Sequence, residues 1–380
     1  MRYVGIIAEY NPFHTGHARL LAAVREAEAV VCVMSGGFVQ RGEAAILPPH
    51  IRAEMALAAG ADAVLELPFP FAAASARYFA TAGVRALAGI GVDTIAFGSE
   101  TGDLARLEAL ASKAPDRALR QSPDRGDAAA YFDTLGHAVS SNDILAVEYL
   151  RAVKREAPFL TPFVLKRAGT PYRAALNEGE YPSAAALRAA LAQGESIEGF
   201  LHPATVEIFD QAVKKYGVAD TARLGDAMLA FLRGNGAVLA KHADIAECGG
   251  GLLERLVKAA AAATDYSSLC AQAATKRYTD GRIRRALLCL LTGATATDLS
   301  AHPAYLRLLG ANAKGRAFLR TTARRRTVPV VTKPAESKLL GEAAQRARAL
   351  SLAADGLYAI AAGHTITPHA LQTVPPVFRK

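Results

Sequence analysis

Gly5-Ile6-Ile7-Ala8-Glu9-Tyr10-Asn11-Pro12-Phe13-His14-Thr15-Gly16-His17 is the stretch whose reading decides the fold. Residues 3–9 read as an apolar strand and Asn11-Pro12 as a turn. A helical period then opens at Gly16 and continues through Leu20, Leu21, Val24 and Ala27. Two histidines at i and i+3, with a glycine between them at the mouth of a helix, bring imidazoles and free backbone N–H groups to one spot. A phosphate fits there. The helix N-terminus supplies positive potential, Gly16 admits the ligand to the backbone, and the imidazoles can donate to oxygens that gain charge during displacement. As four isolated residues, HxGH reads equally as ordinary cap or surface histidines. Its place after the first strand and at the first helix favours the phosphate site.

Working outward, further apolar runs at 29–34, 63–67 and 94–97 stop at Ser35-Gly36-Gly37, Pro68 and Gly98, and helical stretches at 51–59 and 72–88 lie between them. A helix at 142–155, a strand at 159–166 and a helix near Ser183 follow. This alternation predicts an α/β fold whose N-terminal part is a doubly wound parallel sheet, with ligands at the carboxyl ends of the strands. From about residue 197 the chain has helical period and is rich in Ala, Leu and Arg, with a strand expected only at 327–332. The expected organisation is therefore a nucleotide-binding domain at 1–196 and a mostly α-helical basic domain at 197–380.

The 380-residue chain is long enough for two or three cores, and its 51% hydrophobic content is that of a globular protein. No apolar run reaches the roughly 18 to 20 residues of a membrane span, and Arg2 and Glu9 flank too short a run for a signal peptide. A cytoplasmic protein is expected, with no membrane and no protein partner evident. Cys32, Cys248, Cys270 and Cys289 stand far apart with no CxxC pair, and no carboxylate cluster marks a metal site, so no metal ligands are assigned. A net charge of +9 suits a polyanionic partner, and its distribution sharpens that reading. Lys276, Arg277, Arg282, Arg284 and Arg285 surround Tyr278. From Lys314 to Lys333 the chain carries Arg316, Arg320, Arg324, Arg325 and Arg326 without one acidic residue. Such clusters suit RNA phosphates and base stacking on a nearby Tyr; solvated helix faces are the plainer alternative, and Tyr278 taken alone reads more readily as packing than as a stacking platform.

The opening string resembles the nucleotidylyltransferase superfamily through HxGH, and in its full length it resembles the tRNA(Met) cytidine acetate ligase family. Further strings carry the same likeness: residues 33–43 (VMSGGFVQRGE), 60–68 (GADAVLELP), Phe97-Gly98-Ser99-Glu100, 141–146 (SNDILA), Lys276-Arg277-Tyr278-Thr279 and Arg282-Ile283-Arg284-Arg285. The resemblance implies a two-step reaction. Acetate attacks the α-phosphate of ATP to give acetyl-adenylate and pyrophosphate, and the exocyclic amine of the wobble cytidine in elongator tRNA(Met) takes the acetyl group to form N4-acetylcytidine. It also implies that ATP is bound by the loop from Ile7 through His17 with Ala18, Arg19 and Leu20, by Gly98, by Asn142 and by Arg167. The donor geometry makes His14 and His17 the catalytic candidates, and Mg2+ is expected with ATP because hard phosphate oxygens favour it.

Taken singly, Gly98 reads equally as a tight turn, Asn142 as a helix N-cap, and Arg167 with Lys166 as solvated charge. Gln40 or Arg41, at the end of the second strand, can orient acetate or the anticodon base, or Arg41 can pair with Glu43. The superfamily's second motif, S-x-T-x-I-R, is matched here only as Ser183-Ala184-Ala185-Ala186-Leu187-Arg188. The threonine is missing, and Ser183 and Arg188 are left as cap and phosphate clamp. Two other functions compete: an adenylyltransferase acting on a small phosphorylated cofactor precursor, which leaves the basic half unexplained, and a nucleotide-sensing RNA-binding protein without catalysis.

Overall fold

The computed structural model describes residues 1–113, 140–167, 182–239 and 244–379. Five parallel strands, β1 (Tyr3–Ala8), β2 (Ala29–Ser35), β3 (Ala63–Leu67), β4 (Thr94–Ser99) and β5 (Thr161–Lys166), lie in the spatial order β5-β4-β1-β2-β3. Helices α1 (Thr15–Ala23), α2 (Pro49–Ala58), α3 (Ala76–Ile90), α4 (Leu104–Lys113), α5 (Ser141–Glu156) and α6 (Ala184–Ala192) belong to the same half. Chain order reverses between β1 and β4, and at such a switch point the loops leaving adjacent strands diverge and open a crevice at the carboxyl edge.

Both faces of the sheet are buried, so the strands read as continuous apolar runs rather than alternating ones. Period two still sorts the side chains. Val4, Ile6, Val30, Cys32, Met34 and Val64 pack with α1 and α2, whereas Tyr3, Ile7, Val31, Val33, Leu65, Ile95 and Phe97 pack with α3 and α5. The approach of α3 to β1 is close: a Cβ on Gly83 would lie 2.5 Å from Ile7 Cδ1.

The second half is largely helical, with α7 (Val206–Tyr216), α8 (Gly225–Leu239), α9 (Leu252–Ala262), α10 (Tyr266–Ala273), α11 (Asp280–Thr292), α12 (Ala296–Ser300), α13 (Ala313–Thr322), α14 (Glu342–Ala361) and α15 (Pro368–Thr373). It also returns to the sheet. Strand β6 (Leu306–Ala311) pairs antiparallel with β3, and β7 (Val330–Val331) and β8 (Val377–Phe378) flank β6. Sequence reading expected only the strand at 327–332. Residues 306–311, LRLLGA, have as much helical as strand character locally, and pairing with β3 decides between them. The apolar cluster on the α1 and α2 face runs on through Leu256, Leu269 and Leu288 of the helical half, so the two halves share one core.

Candidate active site

The chain leaves β1 through Glu9 and a cis Asn11–Pro12 bond. Tyr10 holds a left-handed backbone, φ 50°, anchored by its hydroxyl against Cys32 Sγ at 3.3 Å and by ring contacts with Phe13 and His17. His14 then caps α1: its Nδ1 accepts the Gly16 N–H at 3.0 Å, and His17 Nδ1 accepts the His14 N–H at 3.3 Å. The reciprocal cap fixes both rings. Each Nδ1 is an acceptor, so in the neutral imidazole each Nε2 carries the proton. The ring centroids are 3.9 Å apart. Burial pushes the pKa of His14 down to about 3, helped by the positive charge of Arg167. Burial, His14 and Arg167 hold His17 well below the ordinary range. Two neutral N–H donors thus stand side by side at a helix N-terminus.

Arg167 arrives from the far side of the crevice. Its N–H bonds Ser99 O at 2.8 Å, and its guanidinium lies 3.7 Å from Glu100. A Cβ on Gly98 would come within 3.2 Å of Arg167 Cγ, which gives the glycine a packing reason. Glu100 also accepts from Ser140 Oγ and Asn142 Nδ2. Ser140, not Asn142, is the N-cap of α5, its hydroxyl accepting the Asp143 N–H, so the Asn142 side chain is turned toward the β4 loop. Sequence reading gave Asp143 only a part in the helix dipole. Burial would raise its carboxyl, but hydrogen bonds from Ser99, Thr101 and Ser140 hold it below the usual range, pinning α5 to the end of β4. The structure therefore gathers Gly98, Asn142 and Arg167 beside the histidine loop.

The loop after β2 closes the other side. Gln40 donates its N–H to Glu9 Oε1 at 2.9 Å and its side-chain amide to Ala74 O at 3.0 Å. Its donors therefore hold the loop. Arg41 does not pair with Glu43: the Glu43 carboxylate accepts instead from Arg188 at 3.0 Å and from Arg284. Arg188 also donates to Asn11 O at 2.9 Å, and Ser183 caps α6 through the Ala186 N–H. Gly42, with φ 72°, lets the loop meet the α11 backbone, where a Cβ would lie 2.7 Å from Arg285 N. Beneath the loops the buried Arg52 donates to the carbonyls of Leu47, Glu9 and Gly36, tying the ends of β1 and β2 together. Its signal was a cation in register with the apolar positions Met55 and Ala56 of α2.

The basic segments divide. Arg284 and Arg285 sit at the site, but Arg285 is only 8% exposed and is held by Glu247 at 3.1 Å. Arg277 and Arg282 lie over the Tyr278 ring, each 5.4 Å from its centroid. Tyr278 is buried with its hydroxyl on Gly250 O, so it packs the interior, as the residue taken alone suggested, and offers no stacking surface. Lys276 is at the same end of α11. Arg324, Arg325 and Arg326 follow α13 at the amino edge of the sheet, where Arg325 lies 5.7 Å from the Tyr3 ring and Arg326 bonds Leu319 O. A six-residue strand separates them from the crevice, about 20 Å.

A sequence profile described as HIGH Nucleotidyl Transferase matches residues 1–372. A tRNA(Met) cytidine acetate ligase of Syntrophotalea carbinolica is 38% identical over 359 residues, 87% of this chain and 85% of that protein. The chain belongs to the tRNA(Met) cytidine acetate ligase family. A family member from Caldanaerobacter subterraneus subsp. tengcongensis is 36% identical over 365 residues, 89% of this chain and 90% of that protein. The crystal structure of apo Thermotoga maritima TmcAL aligns with a TM-score of 0.89 at 27% identity, covering 100% of this chain and 99% of that one. The same protein bound to alpha-thio ATP aligns at 0.86 with the same coverage. The histidine loop, the β4 and β5 ends and the β2 loop of this chain all leave the carboxyl edge of the parallel strands.

Proposed function

We infer that this chain is an ATP-dependent ligase that activates acetate as acetyl-adenylate and transfers the acetyl group to the wobble cytidine of elongator tRNA(Met), forming N4-acetylcytidine. The observation that carries the reading is the pair of neutral, Nε2-protonated histidines at the N-terminus of α1, in a chain of this family. An acetate oxygen attacks the α-phosphorus and pyrophosphate leaves. Charge grows on the α-phosphate oxygens, and His14 Nε2–H, His17 Nε2–H and the helix dipole oppose it. The loop from Ile7 to Leu20 with Gly98, Asn142 and Arg167 holds ATP. Ser183, through α6, presents Arg188 to the leaving phosphates, and Gln40 and Arg41 border the acetate or base subsite.

Mg2+ accompanies ATP, whose hard phosphate oxygens favour it. Lys276, Arg277, Arg282 and Arg284 face the tRNA at the crevice, and Arg285 supports them from within. Arg324, Arg325 and Arg326 form a second, distant phosphate contact. The protein works in the cytoplasm; among the described residues no helix is long and apolar enough to cross a membrane.

The test is acetate-dependent release of pyrophosphate from ATP, followed by nucleoside analysis of the tRNA with acetyl-coenzyme A omitted. N4-acetylcytidine under those conditions supports the reading. Adenylyl transfer to a phosphorylated small molecule, with no acetate dependence, supports the adenylyltransferase instead.

A further inference from the structure

The transfer step needs a proton acceptor. The exocyclic amine of cytidine is a weak nucleophile because its lone pair is delocalised into the ring, and its proton has to leave as the C–N bond forms. Neither histidine can take it, since Nδ1 of each already accepts a backbone N–H and Nε2 is the donor. The carboxylates around the crevice are also occupied. Glu43 is held by Arg188 and Arg284, Glu100 by Ser140 and Asn142, Asp143 by Ser99 and Thr101, and Glu247 by Ser75 N–H and Arg285.

Glu9 differs. It directly follows β1 and opens the histidine loop, its carbonyl is fixed by Arg52 at 2.6 Å, and its Oε1 accepts the Gln40 N–H at 2.9 Å. Among the described residues Oε2 has no hydrogen-bond partner, and the side chain is partly exposed at the carboxyl edge of the sheet. We propose that Glu9 is the general base of acetyl transfer, a role that rests on the ligase reading above. The amine nitrogen bonds to the carbonyl carbon of acetyl-adenylate, its proton passes to Glu9 Oε2, and the carbon–oxygen bond to AMP breaks with the electron pair leaving on the phosphate.

The surroundings suit the role. Burial raises the Glu9 carboxyl above its ordinary range, the Gln40 N–H, Arg188 and Arg41 pull it down, and Glu43 pushes it up. The other charged or titratable groups that face it are Arg52 of α2 and Tyr149 of α5. A carboxylate raised above its ordinary range is a stronger base than a free one.

Glu9→Gln keeps an oxygen for the Gln40 N–H and removes the basicity; Glu9→Asp keeps the carboxylate and draws it back. The two half-reactions are measured separately on the full chain, as acetate-dependent pyrophosphate release and as single-turnover acetyl transfer to tRNA. Transfer by Glu9→Gln should fall about 100-fold to 10,000-fold, far more than adenylate formation, with partial recovery in Glu9→Asp. The parent's transfer rate should rise with pH through the acid range and level off, and Glu9→Gln should lack that rise. Equal losses in both half-reactions, or transfer at the parent rate, would overturn the assignment. If the parent itself releases no pyrophosphate with acetate, the ligase reading fails, a result distinct from either.

Discussion

With Nδ1 of His14 and His17 each engaged by a backbone N–H, the two rings are confined to one tautomer, and burial keeps them uncharged. Their part in adenylation is electrostatic. Losing one such preorganised donor costs about 2.7–4 kcal/mol, or about 100-fold to 1,000-fold in rate, so His17→Ala should form acetyl-adenylate that much more slowly while ATP binding changes little. Parental adenylation by His17→Ala would make the rings structural. His14→Asn keeps an oxygen for the Gly16 N–H and so separates capping from catalysis. The His14 pKa of about 3 also has a stability consequence. An unfolded imidazole takes up its proton near pH 6.5 and the folded one does not until near 3, so the unfolded state binds more protons in between. Stability should therefore fall as the pH drops through that window, and His14→Asn should flatten the fall in urea titrations. Adenylation should show no histidine titration between about pH 5 and 8.

At the scale of elements, the β2 loop, α6 and α11 meet through Arg188, Glu43 and Arg284. A double-mutant cycle of Arg188→Ala and Arg284→Ala should show coupling of about 0.5–3 kcal/mol in urea unfolding, because both guanidinium groups lean on one carboxylate; additive effects would deny the bracket. None of this was legible in the sequence. The partners stand 145 and 241 residues apart, with nothing local to signal the pairing. The histidine loop was legible because strand, turn, cap and ligand donors fall within one short string. Gly98, Asn142 and Arg167 came through family likeness, and their individual readings stayed ambiguous until Glu100 was seen to connect two of them. The position of each basic segment is likewise a tertiary fact. If both contact tRNA, removing Arg277 and Arg282 beside the crevice should reduce acetyl transfer more than replacing Arg324, Arg325 and Arg326. The triple variant should weaken tRNA binding and lower its salt slope by roughly 0.7–0.9 per lost phosphate contact, without slowing adenylation. Unchanged affinity and slope would remove the distant segment from the interface.

For the whole molecule, the alternation of strands and helices gave the sheet and its carboxyl-edge crevice, but the shared core was hidden. Periodicity reports a buried face without naming what covers it. The division at residue 196, kept as a proposal, cuts between β3 and β6 and between the first half and the helices packed on α1 and α2. A fragment of residues 1–196 should therefore expose apolar surface and bind a hydrophobic dye, whereas a cooperatively folded fragment would show that the first half has a self-sufficient core. The central claim is that acetate oxygen is joined to the α-phosphorus of ATP in the crevice. It is tested most directly by running the complete reaction with 18O-labelled acetate, ATP and tRNA and weighing the products. Acetyl-adenylate chemistry leaves one acetate oxygen on AMP when the amine displaces it, so the account predicts AMP carrying one 18O and N4-acetylcytidine in the tRNA. Label in pyrophosphate or inorganic phosphate, or unlabelled AMP alongside acetylated tRNA, would contradict it.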